Sequence, residues 1–152
     1  MNAEPVLALV TRALAARRLD VVLIGNAAAA LQGAPVTTLD VDFMFRKTPR
    51  NLQKLRGLAD YLGAMVLRSY HRVSDLFRVV RDIGNLQLDF MSRVDGVRSF
   101  EALRARATVA TFGGAELRVA TLDDIVRSEE AANRPQDQAV LPILHATLRE
   151  KR

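Results

Sequence analysis

Three aspartates in this chain could do chemistry together. Asp40 and Asp42 stand in Thr38-Leu-Asp-Val-Asp-Phe, and Asp89 stands in Leu-Gln-Leu-Asp-Phe. Aspartate is depleted in β-strands, yet here it falls among Leu39, Val41, Phe43 and Phe45, which read as strand. Alternation puts Thr38, Asp40 and Asp42 on one face and the apolar residues on the other. The Cα atoms of Asp40 and Asp42 would then be about 7 Å apart, and two such carboxylates repel unless a cation lies between them. In Asp89's strand, Gln87 and Asp89 share the face opposite Leu86, Leu88 and Phe90. Were the two strands neighbours, three acids would converge. Oxygen ligands of this kind suit Mg²⁺ shared with substrate phosphates, and two such ions can activate an attacking oxygen and stabilise a departing pyrophosphate. The competing reading is a solvated sheet face.

The elements that must position these acids begin with Val21–Ile24, a continuous apolar run that should be buried on both faces. Gly25 allows a sharp exit, and Asn26 is a good N-cap for a small-residue helix running to Gly33. Backbone N–H groups at such a helix start suit phosphate. Residues 4–18 read as an amphipathic helix. Thr48-Pro49 supplies an N-cap and a first-turn proline for a helix ending at Gly63. Short strands follow at Met65–Leu67 and Leu76–Val80, with a turn at Asp82–Asn85 and Leu86–Met91 returning antiparallel. Ser99–Arg106 reads as a short helix. Strands near 108–112 and 116–120 flank Gly113-Gly114. Thr121 opens a helix with Asp124 in the capping-box position, and Pro135 starts the last helix. The class is α/β (α+β), a mixed sheet flanked by helices, in a single domain over residues 1–152.

Composition narrows the function. With no cysteine there is neither a disulfide nor a thiolate ligand or nucleophile. No apolar run reaches a membrane span and no signal peptide is evident, so the expected compartment is the cytoplasm, with no membrane partner. A net charge of +5 leaves nucleic acid open as a partner. The basic residues are nearly all arginine and are scattered, unlike a clustered nucleic-acid footprint. His71 and His145 lack ligand-like spacing. The glycines match neither a P-loop nor a dinucleotide fingerprint.

In the order of its blocks the chain resembles the small bacterial nucleotidyltransferases of the polymerase-β-like superfamily, of the abortive-infection and toxin–antitoxin type. The matching blocks are Gly25-Asn26…Gln32-Gly33, Thr38-Leu-Asp40-Val-Asp42, Asp89, and Ser128-Glu129-Glu130-Ala-Ala-Asn133-Arg134-Pro-Gln136-Asp137. The resemblance implies a Mg²⁺-dependent (or Mn²⁺-dependent) transfer of a nucleotidyl group from an NTP to a hydroxyl on RNA, tRNA first, or on protein. A toxin role with a cognate antitoxin is also implied. Asp40 and Asp42 would bind two Mg²⁺ ions, and Asp89 would complete the triad as base. Gly25, Asn26 and Thr38 would serve the NTP, and Arg134 and Asp137 would line the nucleotide or acceptor side. The chain departs from the family at Val36 (usually arginine), Glu129 and Gln136 (usually lysine) and Gln32 (usually histidine). A catalytically degenerate binding module on the same fold is the alternative, favoured if Glu129 points into the cleft or Asp89 leaves the carboxylate cluster.

Overall fold

A computed structural model describes residues 4–37, 40–68 and 75–151. Every strand belongs to one seven-stranded mixed sheet in the order β3-β4-β5-β2-β1-β7-β6. The strands are β1 (Val21–Ile24), β2 (Val41–Phe45), β3 (Met65–Arg68), β4 (Leu76–Arg81), β5 (Leu86–Met91), β6 (Thr108–Phe112) and β7 (Ala115–Val119). The helices are α1 (Glu4–Arg17), α2 (Gly25–Leu31), α3 (Pro49–Leu62), α4 (Phe100–Arg106), α5 (Leu122–Ala132) and α6 (Pro135–Lys151). All four residues of β1 are buried, as a central strand requires. It runs antiparallel to β2 and parallel to β7, while β2 runs parallel to β5. The β4–β5 hairpin forms as its turn signal predicts, with a short 3₁₀ turn over Ile83–Asn85.

Register divides the sheet into two kinds of row. Leu23, Phe43, Phe90 and Phe77 lie side by side across four strands. Phe43 stacks on Phe90 at 5.0 Å between centroids, and Phe45 meets Phe90 and Phe77 edge-on. Such pairs add about 0.5–1.5 kcal/mol each to the burial of the rings. One residue along each strand, the adjacent row is Ile24, Asp42, Asp89 and Arg78. The pleat sends that row to the opposite face. The aromatic layer therefore fixes the register that sets the acids side by side, since a one-residue slip would exchange the two rows.

Helix ends follow the local chemistry in most places. Thr48 accepts from the Asn51 N–H, and Gly63 closes α3 in the left-handed conformation. Ser99 and Thr121 cap α4 and α5 in the same way. The expected Asn26 cap is not what forms. The helix opens at Gly25 with Ile24 in the N-cap place and no side-chain cap, because Gly25 makes the turn itself at φ 69°. The helix also stops short of Gly33, at Leu31. Among the described residues, no helix is long and apolar enough to cross a membrane.

Candidate active-site cleft

A cavity of about 810 Å³ opens over the polar end of β2 and β5, and Gly25, Asn26, Asp40, Asp42, Asp89, Arg134 and Asp137 all line it. Seven of the eight residues singled out in the sequence thus come together. The eighth, Thr38, lies outside the described residues, as does His71.

Asp42 and Asp89 are register partners in parallel strands, and Asp40 immediately precedes β2 rather than lying in it. Gly25 is the close neighbour of this group. A Cβ added to it would sit 2.9 Å from Asp42 Oδ2, and its φ is one that side chains rarely adopt. Glycine is needed at this turn for both reasons. The Asp42 carboxyl is pushed up to about 7 by burial and by the charges of Asp89 and Asp40, against the smaller pull of Arg134 and Arg78. Asp89 is 6 % exposed. Its two oxygens accept from the Arg78 fork, Nε to Oδ1 at 2.8 Å and Nη2 to Oδ2 at 3.3 Å. Among the described residues, no group of three or more Asp, Glu, His or Cys side chains is placed to hold a metal ion.

The wall facing the acids comes from α5 and α6. Asp137 accepts from both the backbone N–H and the guanidinium of Arg134, at 3.1 and 2.7 Å, so the pair also caps the start of α6. Glu129 lines the cleft, and its buried Oε2 has no hydrogen-bond partner among the described residues. Burial, together with the Asp137 charge, raises its carboxyl to about 7. Gln136 lines the cleft as well.

The other departures from the family pattern lie elsewhere. Val36 packs against the core. Gln32 is a bracket between α2 and the β7–α5 corner, donating to the carbonyls of Ala28 and Ala120 and accepting from the Leu122 N–H. Arg46 serves Asp20 and Glu101, and Arg127 lies 3.6 Å from Asp124. His145 pairs with Glu130 at the surface. Beside the acids, together with Arg134, stands Arg78, a cation that sequence reasoning passed over as one residue of a short strand. An arginine and an aspartate at matching distances from the Asp82–Asn85 turn were the available signal.

No protein-family model and no curated protein matches the chain. Solved structures do. The antibiotic-resistance factor ANT(2'')-Ia superposes with TM-score 0.65 at 17% identity, covering 95% of this chain and 83% of that one. An antigenic nucleotidyltransferase-like protein from Paracoccidioides brasiliensis matches with TM-score 0.60 at 16% identity, over 93% and 74% of the two chains. The lincosamide antibiotic adenylyltransferase LnuA matches with TM-score 0.61 at 9% identity, over 88% and 90%. The architecture around the acidic row is the nucleotidyltransferase fold.

Proposed function

We propose that the cleft transfers a nucleotidyl group from an NTP to an acceptor hydroxyl, with Mg²⁺ or Mn²⁺ as cofactor. The observation that carries this reading is the convergence of Asp40, Asp42, Asp89, the Gly25-Asn26 turn and Arg134 on one cavity. Asp40 and Asp42 offer the hard oxygens that Mg²⁺ prefers, and these two would hold it. A bound divalent ion would neutralise triphosphate charge and polarise the reacting phosphoryl group. The bare backbone at Gly25-Asn26 lets the triphosphate come close. Arg134 presents a guanidinium to the same space, and Asp89 would take the acceptor proton. The acceptor oxygen forms its bond to Pα as the bond from Pα to the bridging oxygen breaks and pyrophosphate leaves.

For the acceptor, the family resemblance favours RNA or protein, with a toxin role, a cognate antitoxin and a cytoplasmic site of action, and the net charge of +5 leaves nucleic acid open. The solved neighbours supply another class. ANT(2'')-Ia has been seen with adenylyl-2''-tobramycin and LnuA with lincomycin, so a small antibiotic alcohol belongs in the same test.

The test is label transfer from each of four α-labelled NTPs, with Mg²⁺ or Mn²⁺, into total RNA, cell protein and an antibiotic panel. Asp40→Asn serves as the blank, and because Asp40 is exposed this variant should fold as the wild type does. Labelling that vanishes in the blank would establish the activity and name its acceptor class. Two observations favour the second reading, a binding module without catalysis. Glu129 stands in the cleft where the family has a lysine, and Arg78 occupies Asp89. NTP binding without any transfer would support that module.

A further inference from the structure

Asp89 is flanked in its row by an acid on one side, Asp42 of β2, and by a base on the other, Arg78 of β4. The hairpin holds Arg78 in place through six register pairs, from Leu76–Met91 to Arg81–Leu86. Arg81 pins the turn, donating to the carbonyls of Ile83 and Leu62, both at 2.9 Å. Arg78 therefore cannot leave Asp89 by a slip of the strand. Its fork engages both carboxylate oxygens in the arrangement that gives strong, directional ion pairs. A divalent ion brought to those oxygens would meet a positive charge at contact distance, on a carboxylate that is itself buried.

Resting on the nucleotidyl-transfer reading of the cleft, we propose that Arg78 stands in for one of two divalent ions, so that the cleft loads a single ion on Asp40 and Asp42. The guanidinium is a permanent cation on the Asp89 side, where a two-ion arrangement would use a second metal. Arg78 is thus a positioning residue that acts through Asp89, and it sets the metal stoichiometry of the site.

Counting Mn²⁺ by electron paramagnetic resonance, with a non-hydrolysable NTP analogue present, tests this without reference to turnover. Wild type should bind one ion per chain. Arg78→Gln keeps a donor for Asp89 but removes the charge, and should open a second site at least tenfold tighter than any second binding to wild type. Arg78→Lys should stay at one ion, and adding Asp89→Asn to Arg78→Gln should remove the gain. Two ions on wild type would overturn the proposal, as would one ion at unchanged affinity on a folded Arg78→Gln. Should that variant fail to fold, the wild-type count decides alone. Failure of every folded chain to bind Mn²⁺ would sink the metal-dependent reading itself, and this inference with it.

Discussion

Burial, with Asp89 and Asp40 close by, raises the Asp42 carboxyl from 3.8 to about 7. Burial and Asp137 raise Glu129 from 4.5 to about 7. Both groups hold a proton in the folded chain that the unfolded chain releases between about pH 4 and pH 7. Their contribution to stability is therefore full below pH about 4 and is lost as pH rises through about 7. Asp75, held below its ordinary value by the hydrogen bond from Lys47, works in the opposite sense but loses its contribution only in acid. The free energy of urea unfolding should accordingly fall from about pH 4 to about pH 7, and Asp42→Asn should flatten part of that fall. A wild type that grows steadily more stable over this range would contradict the account of both carboxyls.

At the scale of the element, the turn from β1 into α2 is the most constrained piece of backbone near the acids. Gly25→Ala should destabilise the chain by about 1–2 kcal/mol through the left-handed conformation alone. It should also displace Asp42, whose Oδ2 would lie 2.9 Å from the new Cβ. Gly33→Ala is the control, since no atom lies within 4 Å of a Cβ there. Urea midpoints should fall for both variants, and NTP binding should weaken for Gly25→Ala alone. Elements of this size were largely readable from the residues. Thr48, Gly63, Ser99 and Thr121 act where local chemistry puts them, because caps depend on a few neighbouring backbone groups. Asn26 did not cap, since a glycine able to make the turn precedes it. The aspartates were legible as oddities within strands, and their meeting depended only on which strands neighbour each other. Arg78 and Glu129 were harder to read. What Arg78 touches depends on cross-strand register, and Glu129 faces the cleft because of how α5 packs on α6, which no local pattern encodes.

For the molecule as a whole, the strands that carry the site are separated in sequence but central in space, and the sheet closes only when β7 pairs beside β1. Of the pairings that bring Asp42, Asp89 and Arg78 into one row, the β4–β5 hairpin has the shortest connection, and hairpins form within microseconds. Asp89 should therefore acquire its counter-charge early in folding, before the parallel pairing lays it against Asp42 of β2. A bare carboxylate arriving there would repel its partner at the step where the two halves of the sheet must join. Arg78 makes that join electrically tolerable, so its loss should raise the folding barrier. In stopped-flow measurements Arg78→Gln should refold several-fold more slowly while its unfolding rate barely changes, the signature of a contact already formed in the transition state. A change confined to the unfolding rate would place the ion pair after the barrier instead. On this account the arginine that sets how many ions the finished cleft admits also lets the acidic strands assemble with no ion present.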